Sequence, residues 1–136
     1  MTPDAEKKLI LVVDDEPDER SYLTTLFEDN GYATASANDG NEALALVKGN
    51  KPDLITLDIS MPEKSGIKFY RELKEDAELS NIPVVVVTGV TGMGRNPEDF
   101  ERFLASRKSI PVPDGFQPKP VEREELLGKV SQLLGS

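Results

Sequence analysis

The chain has 136 residues, with 25 acidic against 16 basic, a formal charge of −9, and neither cysteine nor histidine. This length, with 38% hydrophobic residues, supports one sizeable core and one domain. The missing residue types exclude disulfides, thiolate nucleophiles, Cys or His metal sites, Ser-His-Asp catalysis and any phosphohistidine carried by the chain itself. No apolar run approaches the roughly 18 residues needed to span a bilayer, and Met1 to Lys8 lacks a signal-peptide core. A cytoplasmic protein is expected. A pI near 4.5 opposes association with nucleic acid phosphates or anionic lipid, so neither direct DNA binding nor membrane insertion is expected.

Along the chain, short apolar runs alternate with stretches of helical period. Leu9 to Val13 (LILVV) suits a strand buried on both faces of a parallel sheet. Asp18 to Asn30 follows as a helix with Tyr22, Leu23, Leu26 and Phe27 in one stripe, stopped by Gly31. Tyr32 to Ser36 is a weak second strand. Asp39 is placed to cap a helix carrying Ala43, Leu44 and Val47, which ends at Gly49-Asn50. Leu54 to Leu57 is the third strand, and a helix from about Ser65 to Lys74 turns Phe69, Tyr70 and Leu73 inward. Val84 to Val87, a VVVV run, is the strongest strand signal. A helix over Pro97 to Ala105, a minimal fifth strand at Phe116-Gln117, and a last helix from Glu122 to Gly135 with Leu126, Leu127, Val130, Leu133 and Leu134 on one face complete the pattern.

Five strands alternating with five helices predict a doubly wound α/β fold, a parallel sheet with right-handed crossovers and strand order 2-1-3-4-5. Sites in such sheets form at the carboxyl ends of the strands. There the sequence places Asp14-Asp15-Glu16 after strand one, Asp58 after strand three, Thr88 after strand four and Lys119 after strand five. Each has an ordinary explanation. Acidic residues and Pro17 favour a helix's first turn, Asp58 suits a turn, Thr88 a strand end, and lysine generally stays in solvent. Together they would bring three carboxylates, a hydroxyl and an ammonium to one patch.

These residues resemble the receiver domains of response regulators in bacterial two-component signalling. The likeness runs from Leu9 to about Leu134. It rests on Asp14-Asp15, on Asp58 in the stretch Leu57-Asp58-Ile59-Ser60-Met61-Pro62, on Gly66 eight residues further, on Thr88-Gly89 and on Lys119-Pro120. It implies a flavodoxin-like fold and a domain over residues 9–134 behind a short tail of residues 1–8. It also implies a phosphoacceptor with no enzyme turnover beyond its own phosphorylation and slow autodephosphorylation. Asp58 would take a phosphoryl group from a sensor histidine kinase or histidine phosphotransfer protein. Asp14, Asp15, Asp58 and the Ser60 carbonyl would hold Mg²⁺, a hard cation suited to oxygen donors that would relieve the repulsion among crowded carboxylates. Thr88 and Lys119 would balance phosphoryl charge, and Thr88 with Phe116 would switch a surface read by a downstream protein.

Two features depart from the family pattern. Phe116 stands where tyrosine is commoner, so it lacks a hydroxyl to report a switch, and a static core role suits it equally. Thirty residues separate Thr88 from Lys119, more than the resemblance leads one to expect, and the glycines at 89, 92 and 94 there lack the order of a phosphate-binding loop. With only Gly135-Ser136 after the last helix, no output domain is expected. A haloacid dehalogenase-like phosphatase needs a second aspartate where Ser60 stands. A flavin binder needs a hydroxyl- and glycine-rich loop where Asp14-Asp15-Glu16 stands. A pseudo-receiver acting as a phosphorylation-independent scaffold is the remaining alternative.

Overall fold

A computed structural model describes residues 7–58, 65–88, 113–118 and 121–135, with the backbone alone at 65–67, 88 and 118. Its elements are β1 (Leu9–Val13), α1 (Pro17–Asp29), β2 (Ala33–Ala37), α2 (Gly40–Gly49), β3 (Leu54–Leu57), α3 (Ser65–Glu75), β4 (Val84–Thr88), β5 (Gly115–Pro118) and α4 (Arg123–Leu134). All strand pairs are parallel, in the expected order β2-β1-β3-β4-β5. Four helices lie among the described residues. The helix expected over Pro97 to Ala105, the glycine loop before it and the Lys119-Pro120 bond lie outside them.

Local chemistry accounts for the boundaries. Pro17 opens α1, with Asp18 and Glu19 favouring the positive end of the helix dipole. Gly31 follows at φ 93°, a left-handed conformation in which a side chain would be strained, and the chain turns into β2. Asp39 caps α2 as its sequence position suggested, its Oδ1 accepting the Glu42 N–H at 2.8 Å. Glu42 in turn accepts the Asn38 N–H at 2.6 Å, a reciprocal pairing at the helix start. Gly135 closes α4 at φ 75°.

The sheet is buried on both faces. One face packs Leu11, Val13, Ile55, Leu57, Val84 and Val86 against Ala43 and Val47 of α2 and Phe69, Tyr70 and Leu73 of α3. The other packs Ile10, Val12, Leu54, Val85 and Val87 against Leu23, Leu26 and Phe27 of α1 and Leu126 and Val130 of α4. Tyr22 corrects the expected stripe. It is 41% exposed. On a 3.6-residue period, residues 22, 23, 26 and 27 span an arc of roughly 140°, with Tyr22 at its margin. Its phenol tolerates water there, while the three apolar residues face the sheet.

The amino edge of the sheet is tied by two aspartates. Asp53 accepts the Leu9 N–H at 2.7 Å and Asp114 accepts the Val84 N–H at 2.9 Å. Lys74, nearly buried, lies 3.9 Å from Asp114 and 5.6 Å above the Tyr70 ring, and donates to the carbonyls of Ser80 and Ile82 at 3.2 and 3.3 Å. Burial, reinforced by the Asp114 charge, pushes the Tyr70 phenol well above its ordinary range. Burial lowers the Lys74 ammonium, against the opposing pull of Asp114.

Candidate functional site

Parallel pairing of β1 with β3 determines what meets at the carboxyl edge. Val13 pairs with Leu57, so the residues that follow, Asp14 and Asp58, leave the sheet side by side. Main-chain bonds continue the ladders into both turns: the Asp58 N–H donates to the Val13 carbonyl at 2.9 Å, and the Asp14 N–H to the Ala37 carbonyl at 3.1 Å. β1 is wholly apolar and β3 apolar but for the buried Thr56, so both strands sit in the core and Asp14 and Asp58 are the first charged residues at the rim.

Asp14, Asp15 and Asp58 each offer a carboxylate oxygen, and these oxygens all lie within 4.8 Å of one another. Asp14 is 1% and Asp58 2% exposed, while Asp15 is the most accessible of the three. Glu16 closes the turn by donating its N–H to Asp14 Oδ1 at 2.9 Å. Although Glu16 precedes α1, its side chain makes no capping bond. The acidic run is therefore more than a helix start. Three acids this close, two of them out of water, repel one another unless a cation sits among them. Oxygen donors without nitrogen or sulfur suit a hard divalent ion such as Mg²⁺, so the donor set fits that ion.

The other predicted site residues are placed less completely. Thr88 ends β4, the strand beside β3, and its backbone pairs with Pro118, the residue before Lys119. The Thr88 side chain, Ser60 and Lys119 lie outside the described residues. Phe116 pairs with Val86 and packs, partly buried, against the core on the α2 and α3 face.

Sequence reasoning missed two polar contacts around this edge. Arg20 Nη1 donates to the Asp14 main-chain carbonyl at 2.7 Å. Gln117, 1% exposed, accepts from Lys129 Nζ at 2.9 Å, and Lys129 lies 3.6 Å from Glu125 one turn earlier on α4. The only advance sign was misplacement by type: an arginine in an otherwise acidic first turn, and a glutamine among apolar neighbours.

A family model described as the response regulator receiver domain matches residues 10–131. The chain is 34% identical to the protein PilH of Pseudomonas aeruginosa, over 92% of this chain and 96% of that protein. It is 39% identical to the polar-differentiation response regulator DivK of Brucella anthropi, over 94% of this chain and 97% of that one. It spans about half the length of other curated relatives that it matches. Among solved structures, the signal receiver domain of a signal transduction histidine kinase from Syntrophus aciditrophicus superposes with a TM-score of 0.78. That match has 33% identity and covers 94% of this chain and 90% of that one.

Proposed function

Because the chain belongs to the response regulator receiver domain family, we propose that it is a phosphoacceptor whose Asp58 takes a phosphoryl group from a histidine kinase or histidine phosphotransfer protein. The observation that carries this reading is the convergence of Asp14, Asp15 and Asp58 within 4.8 Å at the carboxyl edge of the sheet. Residues 9–134 would form the receiver unit, acting in the cytoplasm on a protein target with no direct contact to nucleic acid.

Asp58 is assigned as the nucleophile because it directly follows β3 at the centre of the sheet, its main chain held by Val13. A carboxylate is ionised near neutral pH, so attack needs no general base. One Asp58 oxygen bonds to phosphorus as the phosphorus–nitrogen bond of the donor imidazole breaks, and the departing nitrogen keeps that electron pair. An acyl phosphate results. Asp14, Asp15, Asp58 and the Ser60 carbonyl would hold Mg²⁺, which when bound offsets the negative charge of the carboxylates and phosphoryl oxygens. Lys119 would supply a compact positive charge on a long stem, and Thr88 a hydroxyl donor. Movement of Thr88 toward the phosphoryl group, with repacking of Phe116, would alter the surface offered to a downstream protein by population shift.

The test is intact-mass analysis after incubation with acetyl phosphate and Mg²⁺. The wild type should gain one phosphoryl group and Asp58→Asn none. A scaffold that works without phosphorylation would leave the wild type unmodified, and modification of Asp58→Asn would assign the acceptor elsewhere.

A further inference from the structure

Arg20 stands alone in its part of the chain. No other basic residue occurs between Lys8 and Lys48. It also lies in the first turn of α1, beside Asp18 and Glu19, where the helix dipole disfavours a cation. A residue there against both trends has another partner, and the structure supplies it: Nη1 donates to the main-chain carbonyl of Asp14 at 2.7 Å in partly buried surroundings. Side chains on a helix lean toward its amino terminus, so an arginine in this turn reaches back over the loop that enters the helix.

That carbonyl is well placed to control the pocket. The Asp14 carbonyl and the Asp15 N–H share one rigid peptide plane, so fixing the first orients the second and the Cα from which the Asp15 carboxylate springs. Asp14 is already held at its N–H by Ala37 and at its side chain by Glu16. Asp15, the most accessible of the three acids, follows in a loop to which Glu16 adds no side-chain cap. Among the described residues, Arg20 supplies a side-chain bond to the main chain on that side.

We propose that Arg20 is a positioning residue: its guanidinium, bonded to the Asp14 carbonyl, sets the direction of the Asp14–Asp15 peptide and so presents the Asp15 carboxylate to a divalent cation. The inference rests on the phosphoacceptor reading for the identity of that cation. Two effects of the arginine oppose one another. Its positive charge repels a cation, whereas its hydrogen bond prepares the ligands. Partners that orient metal ligands typically change affinity by about 10–100-fold when removed. In these partly buried surroundings the charge is incompletely screened, so the two effects are separated by experiment.

The experiment pairs amide hydrogen exchange in the metal-free protein with calorimetric titration by MgCl2, for wild type, Arg20→Met and Arg20→Lys. Arg20→Met should speed exchange at the Glu16 amide while leaving Ile55 in β3 protected, and should weaken Mg²⁺ binding about tenfold. Arg20→Lys, which keeps the charge and one donor, should recover part of both. Unchanged exchange at Glu16 overturns the proposal. So does Mg²⁺ binding by Arg20→Met as tight as, or tighter than, that of the wild type, which would reduce the arginine to a charge on the rim. Failure of the wild type to bind Mg²⁺ would count against the phosphoacceptor reading instead, and the exchange measurement would still decide whether Arg20 holds the loop.

Discussion

The two edges of the sheet use the same residue type for opposite purposes. At the amino edge, Asp53 and Asp114 each take a strand N–H, and Lys74 stands beside Asp114. At the carboxyl edge, Asp14, Asp15 and Asp58 face one another within 4.8 Å. At the amino edge each aspartate fastens a strand end, whereas at the carboxyl edge Asp14 takes the Glu16 N–H and still lies among like charges, a crowding that a bound cation would relieve. Which strand ends become neighbours decides whether a carboxylate meets a main-chain donor alone or other carboxylates as well.

Mg²⁺ should act on one edge only. At a Mg²⁺ concentration about 100 times Kd, binding to the folded state adds about 2.7 kcal/mol of stability. Chemical denaturation should detect this gain in wild type and in Asp53→Asn, and find it largely lost in Asp14→Asn. Equal gains in all three would dissolve the contrast. A second comparison needs no metal. Asp114→Ala leaves the Val84 N–H without its acceptor and should cost about 1–3 kcal/mol. Asp14→Asn keeps an oxygen for the Glu16 N–H, removes one of three like charges, and should raise stability by on the order of 1–2 kcal/mol at low salt. The signs of these two changes matter more than their sizes, and urea midpoints measured without divalent ions would give them.

Alkaline titration probes the amino edge separately. Tyr70 has its folded-state pKa raised above the ordinary 10.0, so the unfolded chain loses its proton first and stability falls as pH climbs above 10. The slope is about 1.4 kcal/mol per pH unit for one proton. Lys74 acts the other way. Its folded-state pKa is lowered below 10.5, so stability rises with pH just beneath that value, where the unfolded chain still keeps the proton. Tyr70→Phe should therefore flatten the alkaline decline seen by denaturation at stepped pH, and a slope unchanged by the substitution would mean that Tyr70 is not its source.

Between the edges lies a smaller test. Thr56 on β3, 1% exposed, pairs with Val12 and Val85, and its hydroxyl has no hydrogen-bond partner among the described residues. Replacing it with the similarly shaped valine removes a buried polar atom and should stabilise the fold by about 1 kcal/mol. A drop in Tm would show that the hydroxyl is satisfied in solution.

Most of this arrangement is legible in the sequence where burial is complete. Leu9–Val13, an unbroken apolar run, and Leu54–Leu57, apolar but for Thr56, fall where the sequence places them, because strands covered on both faces admit few other residues. Strand β2 is less clear. It is an edge strand with sequence ATASA and mostly partial burial, and it lies one residue further along than its sequence suggested. The acidic pocket could be anticipated because parallel register carries the residues after β1 and β3 to one place. Arg20 stands out by type in an acidic first turn, but its partner could not be read, since a main-chain carbonyl leaves no residue pattern at the acceptor. Gln117 and Lys129 are hidden for a related reason: their bond joins a strand to a helix twelve residues later, and neither type is diagnostic alone.

The central claim is that the carboxyl-edge acids serve to phosphorylate Asp58, and residue-level location of the modification tests it most directly. Protein treated with acetyl phosphate and Mg²⁺ is reduced with borohydride, which converts an aspartyl phosphate to homoserine, and its peptides are sequenced. Homoserine at position 58, dependent on Mg²⁺, is the predicted result; homoserine at Asp53 or Asp114, or at no position, would contradict the account.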